Sequence, residues 1–280
     1  MGALVLEGGT FRPIFSSGVM DALNDHGVDF PYVIGVSAGI TDGFSYVSKQ
    51  PKRNYDILMN HRHDKRYVGL RNYWHDRSLF GLKYAYETIP NEIYPFDWDT
   101  FLNNPAQVKV GVTNVETGQC EYLDGKQLDE KCTMLKATCA IPFAFPVISL
   151  NGKKYYDGGI CDPIPVKKAM EDGHQKLLIV LTRPKGYQKT LSKANVVASR
   201  LLKKKYPQLV QPLLTRHLLY NETLAYCEQL EQQGQAIILR PSEELQIDSF
   251  EKDLQKIDRI YQYGYQLALE HMEEIKKLFE

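Results

Sequence analysis

Tyr32-Val33-Ile34-Gly35-Val36-Ser37-Ala38-Gly39 is the stretch that decides the reading of this chain. Tyr32 to Val36 is an apolar run of strand length, and a helical pattern follows from Ala38 to about Ser48. Between them lies Gly35-Val36-Ser37-Ala38-Gly39, which matches G-x-S-x-G. The pattern is short, so its weight comes from context: a strand before and a helix after are what a nucleophile elbow requires. Side chains at Gly35 and Gly39 would collide with the adjoining strand and helix, and the sharp turn lifts the Ser37 hydroxyl toward the positive end of the helix. The plainer reading is a tight strand–helix turn that merely needs small residues.

Upstream, Ala3 to Leu6 is a second short apolar strand, ending in Glu7-Gly8-Gly9. A helix is expected from about Ile14 to His26, with Phe15, Val19, Ala22 and Leu23 on one face and Gly27 closing it. Strand, helix, strand, helix at this spacing predicts a βαβ unit and a parallel sheet. Both glycine-rich turns then sit at the C-terminal ends of strands, where open α/β sheets bind ligands. The turn Glu7-Gly8-Gly9-Thr10-Phe11-Arg12 presents backbone N–H groups to an anion, as an oxyanion hole does. A nucleotide loop fails on detail, since neither G-K-[ST] nor G-x-G-x-x-G is present.

Downstream, residues 49–105 resist reading: Lys49 to Arg77 holds eight Lys or Arg, three Asp and three His, and turn-rich pieces follow. Val108–Thr113 and Gln119–Leu123 predict a hairpin around Glu116-Thr117-Gly118. Leu128–Ala140 predicts a helix stopped before Pro142. Lys154–Tyr156 is a short strand running into Asp157-Gly158-Gly159, Val166–Asp172 a helix ended by Gly173, and Leu177–Leu181 a central parallel strand. Arg183 to Arg216 then carries nine Lys or Arg and no acid. A polar helical stretch to Gln233, a strand at Ala236–Leu239 and a long helix over about Ser249–Phe279 complete the chain. No internal repeat or linker is visible, so one domain is expected, with residues 183–280 packed on a core formed by 1–182.

The chain has 280 residues, is 43% hydrophobic, and balances 34 basic against 34 acidic side chains. That composition excludes a bulk nucleic-acid binder and, with 11 Phe and 18 Tyr, a disordered chain. The opening MGALVLEGG does not read as a secretory signal, and no apolar window reaches about 18 residues, so no membrane span is expected. Met1-Gly2 opens like a myristoylation site, but position 6 is Leu rather than Ser or Thr. The five cysteines, at 120, 132, 139, 161 and 227, are odd in number and without C-x-x-C spacing, which suggests reduced thiols in a cytoplasmic protein. Peripheral contact with the inner face of an anionic membrane is a role open to 183–216, and with less reason to His61–Arg66; a charged helix with one face on the core is the plainer account.

A serine needs a base. In α/β-hydrolases the histidine comes last, which nominates His217 or His271, yet neither sits at a recognisable strand end. Asp157 follows a strand and is flanked by Gly158 and Gly159, so its carboxylate can approach Ser37. As sole base it is unexpected, because an ordinary Asp has a pKa near ~3.9 and would need desolvation or a well-aimed hydrogen bond. The Asp-Gly-Gly turn also reads as a simple β-turn.

Taken together, LVLEGGTFR at 4–12, GVMDAL at 18–23, VIGVSAG at 33–39, ATCAIPFAFP at 137–146 and YYDGGICDPIPV at 155–166 make the chain resemble the bacterial patatin-like phospholipases, the PNPLA-domain family, over residues 1–182. The resemblance implies a three-layer α/β/α sandwich with a mostly parallel sheet. It implies a catalytic dyad with Ser37 as nucleophile and Asp157 as general base, oxyanion donors in the Gly8-Gly9-Thr10 turn, and Arg12 in support. The implied chemistry is hydrolysis of fatty-acyl esters, commonly of phospholipids and lysophospholipids, without cofactor or metal. An acyltransferase, a non-lipid esterase or a catalytically weak regulatory protein are the alternatives. Two departures matter: Thr10 stands where the family has a third glycine, and Pro13 where it has a glycine after the arginine. A β-branched residue at positive φ would be costly, whereas proline suits the first turn of a helix.

Overall fold

The computed structural model describes residues 2–245 and 247–279. Eight strands form one sheet: β1 (Gly2–Leu6), β2 (Tyr32–Val36), β3 (Gln107–Asn114), β4 (Cys120–Asp124), β5 (Ile148–Leu150), β6 (Lys153–Asp157), β7 (Lys176–Val180) and β8 (Ala236–Leu239). The order is β5-β6-β3-β2-β1-β7-β8, with β4 also paired to β3. The pairs among β3, β2, β1, β7 and β8 are parallel, and β4, β5 and β6 add antiparallel pairing at one side. The helices are α1 (Ile14–Asp25), α2 (Ser37–Val47), α3 (Arg53–His61), α4 (Tyr73–Asp76), α5 (Trp98–Asn103), α6 (Thr133–Thr138), α7 (Val166–Glu171), α8 (Lys193–Leu202), α9 (Val210–Gln232), α10 (Leu254–Glu270) and α11 (Met272–Phe279).

Alternation along the central strands builds a core on each face. Leu4, Leu6, Val33 and Leu178 pack with Val19 of α1, Phe44 of α2 and Ile257 and Tyr261 of α10. Ala3, Val5, Ile34 and Ile179 pack with Val166 and Ala169 of α7 and Leu224 and Leu230 of α9. Both faces being covered explains why these strands read as continuous apolar runs. The result is the expected three-layer α/β/α sandwich. Helices α1 and α10 cross closely, because a Cβ on Gly264 would lie 2.2 Å from the Phe15 carbonyl oxygen and one on Gly18 would lie 2.1 Å from that of Tyr261.

Several boundaries differ from expectation. The helix read over Leu128–Ala140 is only α6, because Cys132 takes a left-handed φ of 49° and Asp129 Oδ1 accepts the Thr133 N–H at the new start. The helix read over Ser249–Phe279 begins at Leu254, where the Asp253 side chain caps it, and is interrupted at His271. Residues 49–105 contain α3, α4, α5 and a π-helical stretch, Tyr84–Ile93, with Pro90 inside it. The expectation of five reduced thiols is corrected: Cys120 and Cys161 are joined, their Cα atoms 5.5 Å apart, because Cys120 lies opposite Thr113 on β4 and Cys161 closes the turn after Asp157. Cys132, Cys139 and Cys227 are free and buried. Among the described residues no helix is long and apolar enough to cross a membrane.

Candidate active site

Sheet register is what brings Ser37 and Asp157 together. Strand β3 pairs with β4 from Lys109 to Thr113, and at Val112 and Thr113 it pairs with β6 as well. It pairs with β2 only up to Gly111. Since a strand has two edges, β2 and β6 share one and meet end to end. Val36 is opposite Gly111 and Asp157 opposite Val112, so the residue that follows β2 falls beside the residue that ends β6.

At that junction the Ser37 hydroxyl donates to Asp157 Oδ2 at 2.7 Å. Both residues are 5% exposed. Ser37 has a φ of 55°, a left-handed backbone for a residue with a Cβ, as the sharp turn predicted. Gly39 is required there: a Cβ would fall 2.3 Å from the Glu7 carbonyl oxygen. Gly35 is as constrained, with the Leu6 carbonyl oxygen 2.8 Å from its would-be Cβ, so these glycines chiefly admit the end of β1. Gly158 plays the same part for β3, since its Cβ would meet the Gly111 carbonyl oxygen at 2.1 Å. The second Asp157 oxygen accepts the Gly159 N–H at 2.7 Å. Burial pushes the Asp157 carboxyl above its ordinary pKa, while the hydrogen bond from Ser37, the nearby Arg216 and the Gly159 N–H pull the other way. A desolvated carboxylate with a short, aimed hydrogen bond is the environment that lets an aspartate act as a base.

The glycine turn lies against the serine. A Cβ on Gly8 would be 2.8 Å from Ser37 Cβ. The N–H groups of Gly8, Gly9 and Thr10 donate to no acceptor among the described residues, so the turn holds three free backbone donors beside Ser37. Thr10 adopts φ 60°, so the position that is glycine in the resembled family does require a left-handed backbone here, and threonine bears its cost. Pro13 stands at the N-cap of α1 with φ −60°, as its fixed ring allows. Arg12 is buried and braces the turn from behind: Nε donates to Thr182 Oγ1 at 3.3 Å and Nη1 to Ser249 Oγ. A Cβ on Gly9 would sit 2.9 Å from its Nη2.

Residues outside the sequence motifs complete the frame. Thr138 accepts the Ser37 N–H at 2.8 Å and donates to the Gly111 carbonyl at 2.6 Å, tying the serine turn to β3. Thr113 donates to the Asp157 carbonyl at 2.7 Å. Arg216 donates from Nε to the Gly159 carbonyl. Thr138 lies in a quoted motif block, so its signal was present but unassigned; Arg216 had none beyond the basic composition of its segment. His217 and His271 line neither cavity that reaches Ser37.

Two cavities meet at Ser37. One is apolar and runs beneath α3 and the π-helical stretch, walled by Ile57, Leu58, Phe80, Ile89, Phe96, Leu135 and Phe145. Residues 49–105, the part that resists sequence reading, supply a large share of that wall, with Ile57, Leu58, Phe80, Ile89 and Phe96 among them. Cys139 on this wall is free and buried, and burial pushes its thiol up to about 12. The second cavity is polar and includes Gly8, Gly9, Asp157 and several cations.

A serine on a left-handed turn, bonded to a buried aspartate beside free backbone donors, defines an α/β protein with a buried Ser-Asp pair at the ends of its strands. The chain belongs to the patatin-like phospholipase family, whose family model, described as "Patatin-like phospholipase", matches residues 4–170. A model described as "Domain of unknown function (DUF6363)" matches residues 206–280. The chain is 26% identical over 196 residues to the uncharacterized protein YjjU of Escherichia coli, covering 65% of this chain and 52% of that one. It is 25% identical over 289 residues to lysophospholipase NTE1 of Scheffersomyces stipitis, covering 95% of this chain and 17% of that protein. The nte1 lysophospholipase of Aspergillus terreus is similar at 24% over 293 residues, with 98% and 18% covered. The chain thus spans about half of the bacterial relative and under a fifth of the fungal ones. Relatives from both groups make membership that of the family at large, not of a bacterial branch. Among solved structures, VipD from Legionella pneumophila matches with a TM-score of 0.48 at 14% identity, over 98% of this chain and 66% of that one.

Proposed function

We propose that this protein is a serine acyl hydrolase that cleaves fatty-acyl esters of lipids, phospholipids or lysophospholipids, with Ser37 as nucleophile and Asp157 as general base. The observation that carries the reading is the 2.7 Å Ser37–Asp157 hydrogen bond, with Ser37 on the wall of an apolar cavity. Asp157 takes the hydroxyl proton as Oγ attacks the ester carbonyl. The Gly8, Gly9 and Thr10 N–H groups hold the oxyanion, with Arg12 fixing their turn. Collapse breaks the ester C–O bond while the Asp157 carboxyl returns its proton to the departing alkoxide, leaving an acyl-enzyme; Asp157, ionised again, then takes a proton from the attacking water and passes it to Ser37 Oγ as the fatty acid is released. The acyl chain occupies the apolar cavity. That the fungal relatives are named lysophospholipases supports this substrate class. Ser37→Ala and Asp157→Asn should each abolish hydrolysis of p-nitrophenyl acyl esters in folded protein, and full activity in either would end the proposal. Transfer of acyl groups to an added alcohol in preference to water would point to an acyltransferase instead.

Residues 183–280 are taken as part of the same domain, a reading supported by β8 extending the sheet from β7 and by α10 packing on α1. We also propose peripheral contact with an anionic membrane through α8 and the turn after it. Leu191, Val197 and Leu201 are exposed there beside Lys193, Arg200 and Lys203 to Lys205. Ala194 and Ala198 of the same helix line the polar cavity, so a surface-bound α8 would bring Ser37 to the lipid. Vesicle co-sedimentation that is independent of anionic lipid and of salt would refute it. A cytoplasmic location loses part of its support, since two of the five cysteines are paired.

A further inference from the structure

The basic segment 183–216 does more than face solvent. Three of its cations, Arg183, Lys189 and Arg216, turn inward and line the polar cavity that opens on Ser37, where Arg12 adds a fourth positive charge. Two acids, Glu7 and Asp157, line the same cavity, so the cations outnumber them four to two. Glu7 has both oxygens engaged, accepting the Thr182 N–H at 2.6 Å and the Tyr220 hydroxyl at 3.0 Å. Asp157 is committed to Ser37 and Gly159. Arg12 is spent on Thr182 and Ser249.

The three remaining cations keep N–H groups with no acceptor among the described residues. Arg183 Nε is buried with no hydrogen-bond partner among the described residues, and its guanidinium lies over the Tyr187 ring at 4.6 Å. Lys189 Nζ forms no ion pair among the described residues and rests over the Tyr220 ring at 4.5 Å. Arg216 uses Nε on the Gly159 carbonyl, while its Nη2 is held beside Gly159, 3.2 Å from where a Cβ would be. Aromatic faces hold the first two without consuming their charge. Burial, together with Arg216, Arg12 and Arg183 and against Glu7, pulls the Lys189 ammonium down to about 7. Like charges gathered in a half-buried cavity cost energy unless an anion joins them.

We propose that Arg183, Lys189 and Arg216 form an anion subsite that receives the phosphodiester of a glycerophospholipid or lysophospholipid while its acyl chain lies in the apolar cavity. Substrate then spans Ser37, with apolar chain on one side and phosphate on the other. The inference rests on the proposed hydrolase function but names what that reading leaves open, the part of the lipid beyond the ester.

The experiment measures the ratio of kcat/KM for lysophosphatidylcholine over monoacylglycerol, both below their critical micelle concentrations, for wild type, Arg183→Gln, Lys189→Met and Lys189→Arg. The ratio is expected to fall about tenfold to a hundredfold in Arg183→Gln and Lys189→Met, the scale of a lost charge-assisted hydrogen bond. It should be largely restored in Lys189→Arg. A ratio unmoved by the first two variants overturns the subsite. Binding of the same two lipids to Ser37→Ala protein, with and without Lys189→Met, is read in parallel by calorimetry. If wild type hydrolyses neither lipid, the hydrolase reading fails, and the subsite still stands or falls on whether Lys189→Met weakens the phosphate-bearing lipid selectively. Saturable binding of inorganic phosphate that Lys189→Met abolishes, with no preference between the lipids, would make this a free-anion site and overturn the assignment to substrate.

Discussion

Replacing Thr10 with glycine should make the protein more stable. Thr10 sits at φ 60°, in the turn that carries the proposed oxyanion donors. A left-handed backbone costs a residue with a Cβ about 1–2 kcal/mol, and branching does not lessen it. Against that gain, glycine gives the unfolded chain more freedom, worth about 0.5–1 kcal/mol. The difference leaves a net stabilisation of about 0.5–1 kcal/mol. For a domain of this size that corresponds to a rise in Tm of about 1–4 °C. Thr10→Ala separates the causes, because alanine keeps the Cβ at positive φ; its Tm should stay below that of Thr10→Gly. Thermal unfolding followed by circular dichroism reads both, and p-nitrophenyl butyrate hydrolysis reports whether the N–H at this position still serves. A Tm for Thr10→Gly below wild type, or equal Tm values for the alanine and glycine variants, would refute the strain argument and mean that the threonine side chain holds the turn.

Burial raises the carboxyl groups of Asp157, Asp42, Asp21 and Asp162 above the ordinary range, Asp42 to about 7 and Asp21 and Asp162 to about 6. A raised folded-state pKa means the folded protein binds more protons, so this stability is present at low pH and is lost as pH rises from about 4 through about 7. Tm should therefore fall between pH 5.5 and 8, and Asp157→Asn should be more stable than wild type at pH 8 while inactive; a flat Tm profile with no gain in that variant would contradict the assignment. The same shift requires kcat/KM to rise with pH through an apparent pKa above the ordinary carboxylate range, measurable with a p-nitrophenyl ester at saturating ionic strength. Reducing Cys120–Cys161, which are 41 residues apart, should cost about 2–4 kcal/mol, seen as a lower urea midpoint in dithiothreitol that Cys161→Ser no longer shows. Gly264→Ala should destabilise by about 1–3 kcal/mol in the same urea titration, since its Cβ would lie 2.2 Å from the Phe15 carbonyl oxygen and α1 and α10 must part.

What the sequence made legible follows from periodicity. β2 and β8 were read at their observed ends, and β1, β7 and the β3–β4 hairpin nearly so, because each buries its side chains against helices or pairs locally. Residues 49–105 stayed opaque for a physical reason. Ile57, Leu58, Phe80, Ile89 and Phe96 face a cavity rather than a flat layer, so their spacing obeys neither a helical nor a strand period. The long terminal helix was read through its break at His271, since Ile257, Tyr261, Gly264, Ala268, Met272 and Ile275 keep a helical spacing across it.

The Ser37–Asp157 pair was legible only as two motifs, not as a distance. What closes the distance is the short overlap of β3 with two different strands along one edge, and no residue type announces such a handover. Its requirements are nonetheless chemical. Gly111 and Gly158 must lack side chains where β2 and β6 meet, and Thr138 must bridge the Ser37 N–H to the Gly111 carbonyl that the handover exposes. The same junction explains why a base need not be histidine here. With Asp157 delivered by the sheet itself to hydrogen-bonding distance and then desolvated, the carboxyl has the reach, and a pKa raised by burial, that the proposed role as base calls for. The cost falls on stability, in the buried carboxyl, in the left-handed backbones of Ser37 and Thr10, and in the cations of the second cavity, all within one site.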